Sequence, residues 1–273
     1  MQHSKKQLHH FRQGRIRASK EVRRQLVLRN NLEKTFFTKL RRLFNKFSRV
    51  QMHLFREYGI YQPQIASRNL NEDLFPLMQD HIRRTFVAIY KNNEERYNKT
   101  FKAEEVLVFG KSVDIELLIT QYFATRQLFL SGISQRLANQ ISKTIEEGRS
   151  ENLNLQQIAK NVVDKFKTIS MTRSALISRT ETHNASSFAN HSYHDTLRND
   201  LGIKMVKRWS AVNDARTRSA HAEASGQIVD MDDDFTVGGV PMSYAGDPRG
   251  GAKNVINCRC VIIYADEQDL IQD

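Results

Sequence analysis

The chain has 273 residues, 40% hydrophobic and 26% charged, with twelve Gly and four Pro, a globular composition that excludes collagen-like, Pro-rich and wholly disordered classes. Its length leaves room for two domains. The formal charge is +12, yet residues 1–50 hold 15 Lys and Arg against only Glu21 and Glu33, so the first fifth carries +13 and the remainder −1.

Residues 1–19 are polar, basic and without periodicity, and read as a disordered arm. They lack the apolar stretch of a secretory leader. A segment this basic draws polyanions by releasing their counterions, which nominates Arg12, Arg15, Arg17, Lys20, Arg23 and Arg24 as sequence-independent DNA contacts. From Glu21 the pattern becomes helical. Leu28, Leu32, Phe36, Leu40, Leu43, Phe47, Val50, Leu54 and Tyr58 recur every three or four residues, and Gly59 and Pro63 close the stripe. A second helix is expected from Asn71 to Phe101, with Pro76 in its first turn. A third begins near Ser112, with Asp114 and Glu116 at its positive end, and stops at Gly148. Its apolar run, Ile115–Ile133, is interrupted by Glu116, Gln121, Arg126 and Gln127, which argues against a membrane span. Asn154 is expected to cap a short helix ending at Phe166, and Thr172 another reaching Arg198, with Gly202 as the stop.

Beyond Gly202 the texture changes. Lys204–Val212 alternates like a strand, and six of the twelve glycines fall within residues 226–252, marking a turn-rich region. Asn257–Tyr264 reads as a buried last strand. The expected fold class is therefore α+β: a long-helix-rich N-terminal half (20–150) followed by a smaller α+β module with a small sheet (155–265) and a short tail (266–273).

Three segments of this second part hold side chains able to do chemistry. In SRTETHN, Arg179 is expected to anchor its helix to the β-part through a carboxylate, with Glu181 and His183 as the acid–base alternative. In WSAVNDARTRSAH, Asp214 is placed to accept a bidentate bond from Arg216 or Arg179. In NVINCRC, an extended strand would put Cys258 and Cys260 on one face with Cα atoms about 6.6 Å apart, too far for an unstrained bridge. The two thiols read either as inert core groups or as zinc ligands with His221 and a fourth partner among Asp214, Asp247 and His183. Two cysteines build no disulfide scaffold, which suits a reducing cytoplasm. Phosphate-loop, dinucleotide, zincin and serine-hydrolase motifs are all missing from the sequence.

SRTETHNA, W-x₄-D-x-R-T-R-x₂-H, YAGDP and NVINCRC, in that order and spacing, resemble the phage Mu F-like family of minor head proteins over about residues 155–265. The matched positions are Arg179, Thr180, Glu181, Trp209, Asp214, Arg216, Thr217, Arg218, His221, Asn257, Cys258, Arg259 and Cys260. The resemblance implies a low-copy head morphogenesis protein associated with the portal protein; on the residues, no catalysis and no cofactor other than zinc are expected. It further implies contacts with major capsid or scaffold protein and a location in the host cytoplasm during assembly and then the capsid interior. Related modules occur joined to ADP-ribosyltransferase domains; the chain ends nine residues after Tyr264, so none is expected here. On the residues alone, Arg179, Asp214 and Arg216 should tie helix to loop while the Cys258–Cys260 strand closes the module beside His221. The competing readings are a metal- or thiol-dependent hydrolase or nuclease built on Glu181, Asp214, His221 and the cysteines, and a plain nucleic-acid adaptor.

Overall fold

A computed structural model describes residues 5–101, 113–202, 204–212 and 214–266. Four long helices come first: α1 (Lys5–Tyr58), α2 (Pro63–Phe101), α3 (Ile115–Ser150) and α4 (Leu155–Leu201). They are followed by β1 (Met205–Ser210), α5 (Ser219–Glu223), β2 (Ile228–Asp230), β3 (Phe235–Val237), β4 (Val240–Met242), a 3-10 turn at Pro248–Gly250, α6 (Gly251–Val255) and β5 (Val261–Asp266). The α+β class expected from the sequence is the class found. No described helix is long and apolar enough to cross a membrane.

The helices run further than local signals suggested. α1 begins at Lys5, inside the stretch expected to be a disordered arm. Residues 5–19 hold one Gly and no Pro among Lys, Arg, Gln and Leu, all good helix formers, so the helix continues upstream of its apolar stripe. α2 starts at Pro63, whose missing N–H is harmless there, which leaves Pro76 inside the helix instead of in its first turn. Gly148 does not stop α3. Asn152 does, at φ +58°, with Leu153 N donating to the Gly148 carbonyl at 3.0 Å in a left-handed C-terminal cap. A Cβ on Gly148 would lie 2.7 Å from Ile158 Cγ1, so this glycine lets α3 and α4 approach. Asn154 caps α4 as expected: its Oδ1 accepts from Gln157 N and its own N donates to Gln157 Oε1, both at 2.9 Å. The two helices expected after it are one, because nothing between Phe166 and Thr172 breaks a helix.

The described residues group into two units made of discontinuous segments, not the consecutive blocks expected at 20–150 and 155–265. One comprises Glu33–Arg84 and Glu116–Arg179. Its only secondary structure is helix, and Phe36, Leu40, Phe44 and Phe55 of α1, Leu74, Met78 and Ile82 of α2, and Leu130 and Ile141 of α3 are fully buried in it. His81 stacks flat on Phe36 at 3.8 Å and Phe47 meets Phe166. Ion pairs Lys39–Asp80 and Lys165–Glu147 and the bond from Tyr61 to the Ala138 carbonyl lie around this core.

The other unit draws on Met1–Leu32, Thr85–Ile115 and Thr180–Asp273. Its three-stranded antiparallel sheet has the order β2-β1-β5, with Trp209 opposite Ile262, and β3 and β4 form a separate hairpin. Trp209, Phe235, Met242 and Tyr264 dominate its core. From the helices, Gln25 donates to the Ile262 carbonyl at 3.2 Å, Asn93 to Asn190 Oδ1 at 2.7 Å, and His194 stacks on Tyr264 at 4.3 Å. The sheet's last strand starts at Val261, so Cys258 and Cys260 precede it. The chain cannot extend earlier because Asn257 sits at φ +58° after α6.

A buried thiol–imidazole cluster beside an arginine-rimmed cleft

The candidate site is assembled by two turns. In the first, Asp214 Oδ1 accepts from the backbone N of Arg216 at 3.0 Å and the Asp214 carbonyl accepts from Thr217 N at 2.9 Å, an Asx turn that aims the chain into α5. The Arg218 carbonyl receives the first helical bonds, from His221 N and Ala222 N, and His221 enters the interior with 2% of its surface exposed. In the second, α6 ends at Val255 and the left-handed Asn257 turns the chain back. Asn257 N donates to Thr180 Oγ1 at 3.2 Å, and Arg218 donates to the Ile256 carbonyl. Cys258 and Cys260 are thereby delivered to one point without sharing a strand.

There His221 Nδ1 lies 3.3 Å from Cys260 Sγ and 3.6 Å from Cys258 Sγ. All three ligand atoms lie within 4.8 Å of one another. Trp209 presents its ring to His221 nearly edge-on at 5.9 Å and walls one side. The other side opens into a small, half-open cleft lined by Val212, Arg216, Thr217, Arg218, His221, Asn257, Cys258, Arg259 and Cys260.

Charge around the cluster is ordered. The Cys260 thiol beside Cys258 pulls the Cys258 thiol well below the ordinary range, with His183 and His221 adding to the effect, and the same contact pushes Cys260 up. One proton shared between two adjacent sulfurs produces this split. Burial holds His183 neutral, well below the usual imidazole range. Its Nδ1 accepts from Arg29; arginine can only donate, so the proton of His183 sits on Nε2. Arg29 also donates to the Arg259 carbonyl at 3.0 Å and the Cys260 carbonyl at 3.4 Å, fastening α1 to the cysteine loop. At the cleft's rim Arg259 grips Asp214 with two bonds of 2.5 and 2.6 Å, which holds the Asp214 carboxyl far below its usual range.

Several expected pairings are different in the structure. Arg179 pairs with Glu33 at 3.3 Å, and the two-pronged partner of Asp214 is Arg259; the Arg216 guanidinium stands 3.5 Å away as a secondary contact. Asp247 is no ligand candidate. It accepts from Ser243 N, Arg249 N and the Arg249 guanidinium, which also grips Asp234 at 2.8 and 2.9 Å. Glu181 and His183 are buried and line none of this cleft. Arg24, nominated for DNA, is engaged with Glu21 at 2.9 Å and the Asn92 carbonyl at 3.2 Å. Lys20 and Arg23 are exposed, while the side chains of Arg12, Arg15 and Arg17 lie outside the described set. Arg29 was missed altogether, because a basic residue on a basic helix carries no local sign of burial.

Arg29→Met should cost about 3 kcal/mol, since it leaves two carbonyls and a buried imidazole without their charged donor. Urea unfolding followed by Trp209 fluorescence measures it, and a midpoint equal to the parent's would remove Arg29 from this role.

Residues 135–263 match the family described as Phage Mu protein F like protein. This stretch is similar to the Mu F-like family. The match starts within α3, earlier than the resemblance at about residue 155 indicated. The chain is 30% identical over 136 residues to the minor head protein GP7 of Bacillus phage SPP1, covering 49% of this chain and 42% of that protein. It is 32% identical over 129 residues to the NAD(+)--arginine ADP-ribosyltransferase EFV of Enterococcus faecalis V583, covering 46% and 26%. The chain thus spans less than half the length of either relative. No solved structure matches it. In the matched stretch the motif residues fall into two groups: Trp209, His221, Cys258 and Cys260 pack inward, and Asp214, Arg216 and Arg259 form the rim.

Proposed function

We propose that the chain is a phage minor head protein that works in head assembly by docking, not by turning over a substrate, and that it is carried into the virion interior. The observation behind this reading is the family match over residues 135–263, taken with a site whose rim charges satisfy one another. Asp214 and Arg259 neutralise each other at 2.5 and 2.6 Å, and the acid–base candidates Glu181 and His183 are buried. A rim of that kind braces a scaffold. The resemblance to GP7, a minor head protein by name, points the same way.

On this reading the partner is the ring-shaped portal, engaged by exposed helix faces, with capsid or scaffold protein nearby. Packaged DNA would be met by the basic set Arg12, Arg15, Arg17, Lys20 and Arg23; Arg24, held by Glu21 and the Asn92 carbonyl, is withdrawn from that set. Co-expression with the portal protein of the same phage, followed by size-exclusion chromatography and counting of chains per purified head, tests the assembly role. A stable complex and a low, fixed copy number are expected. Chains that run apart from the portal and are absent from heads would overturn it.

The DNA contact has its own test. If four of these side chains meet phosphates, affinity for a duplex of any sequence should fall roughly 100-fold between 50 and 200 mM salt. Binding that is indifferent to salt would remove the arm from DNA.

A further inference from the structure

His221, Cys258 and Cys260 are the residues of the module that structural packing explains least well. His221 is a core histidine whose Nε2 has no hydrogen-bond partner and whose Nδ1 faces nothing stronger than two sulfurs. Thiols are weak donors and acceptors, so the ring is poorly satisfied for a group with 2% exposure. These are also the only two cysteines of the chain, and both converge on the same nitrogen.

The spacing has a simple explanation. Zinc bonded at about 2.3 Å to sulfur and about 2.0 Å to imidazole nitrogen, with tetrahedral angles, sets nitrogen–sulfur edges of about 3.5 Å. The two edges here are 3.3 and 3.6 Å. We infer that His221 Nδ1, Cys258 Sγ and Cys260 Sγ hold one Zn²⁺, with the fourth coordination position facing the arginine-rimmed cleft.

The donor set suits zinc: two thiolates and an imidazole match a borderline-soft ion, and the absence of a carboxylate in the cluster disfavours calcium and magnesium. The cleft supplies the entry path and room for a water at the fourth position. His183 does not complete the tetrahedron. Arg29 occupies its Nδ1 and so keeps a proton on Nε2, where a ligand needs a lone pair. Instead His183 lies against Cys258 and Arg29 near Cys260, positive and polar neighbours for the thiolates that the metal requires. On binding, the proton that the two sulfurs share leaves for solvent, and the two sulfurs and one nitrogen each donate a lone pair to the ion. The ion would also clip α5 to the loop before β5, closing a loop between His221 and Cys258, which stand 37 positions apart.

The test uses the full chain, tag-free and reduced, with Zn²⁺ and Co²⁺ as the probes. One zinc per chain is expected after dialysis, and Co²⁺ should give tetrahedral d–d bands together with a sulfur-to-cobalt charge-transfer band. Cys258 and Cys260 are the only possible source of that band, so adventitious binding by His3, His9 or His10 cannot imitate it. His221→Ala should weaken Co²⁺ affinity at least 100-fold while keeping the charge-transfer band at high metal. A folded, reduced chain that retains no zinc and gives no sulfur-to-cobalt band overturns the proposal. So does a Cys258–Cys260 disulfide that survives the reductant. If His221→Ala does not fold, the cobalt spectrum of the unaltered chain still decides.

Discussion

Acidification from pH 7 to 4.5 is expected to remove about 8 kcal/mol of stability, enough to unfold a protein of ordinary marginal stability. Three buried histidines carry the effect. Burial lowers His81 to about 3, His191 to about 4 and His194 to about 3. Near His81, Asp80 opposes the shift while Lys39 and Arg84 reinforce it. Near His191, Lys207 and Arg198 reinforce it against Asp195 and Asp247. His194 gives its Nδ1 proton to the Asn190 carbonyl at 2.7 Å, which opposes the shift, and is reinforced by Arg96, His191 and Arg24. All three stay neutral in the folded chain and take up a proton near pH 6.5 once unfolded. Their contribution is therefore complete above pH 6.5 and is lost as pH falls toward 4, at about 1.4 kcal/mol per unit for each.

Asp234, lowered to about 2 by the Arg249 guanidinium and the Ser243 hydroxyl, extends the loss to a lower window. Its contribution is present above about pH 4 and disappears as the pH approaches 2. Urea midpoints at a series of pH values check the claim. Far-UV circular dichroism follows the helices of both units, and Trp209, the single tryptophan, reports on the unit that holds His191 and His194. Midpoints that do not move between pH 7 and 4.5 would refute it. His81→Phe, which keeps the flat stack on Phe36, should abolish about a third of the acid sensitivity.

Gly246→Ala is expected to cost about 3–5 kcal/mol, from a left-handed backbone term of about 1–2 and the remainder from overpacking. Gly246 sits at φ +92°, and an added Cβ would stand 2.5 Å from Asn184 Oδ1 and 3.3 Å from Asn184 Cα. The side-chain oxygen can swing aside, but the α4 backbone cannot. The loop must lift, and it carries Asp247, whose bonds to Ser243 N and Arg249 N shape the turn before α6. Melting should fall by roughly 10 °C for a chain of this size. Gly239→Ala isolates the backbone term, because Gly239 has φ +78° and nothing within 4 Å of its added Cβ; it should cost only about 1–2 kcal/mol. Equal melting of the two variants would show that the approach to Asn184 carries no weight.

The candidate site was legible in its parts and not in its wiring. Trp209, His221, Cys258 and Cys260 stood out by residue type, and the cysteines and histidine do meet. Asp214 stood out as a carboxylate among arginines, yet its gripping partner, Arg259, is 45 residues away, and neither spacing nor periodicity links them. The last strand, expected from Asn257, is present but starts only at Val261, because Asn257 adopts φ +58° in a turn and apolar alternation carries no sign of that turn. The break expected inside α4 is absent for the opposite reason. Thr172, expected as a new cap, instead donates its hydroxyl to the Thr168 carbonyl at 3.1 Å within one continuous helix.

What the amino-acid order determined unaided was everything carried by neighbours three or four apart: the stripe of α1, the cap at Asn154, the α+β sequence of elements and the concentration of charge in the first fifth. What only the tertiary structure decided was which of those elements meet. Arg29 reaches His183 across 154 positions, and His221 reaches the cysteines across 37 and 39. A helix or a cap is stabilised by bonds that close within a turn, so its signature is local. A cluster that closes loops of tens of residues is selected by the packing of whole elements, which no short window of sequence contains.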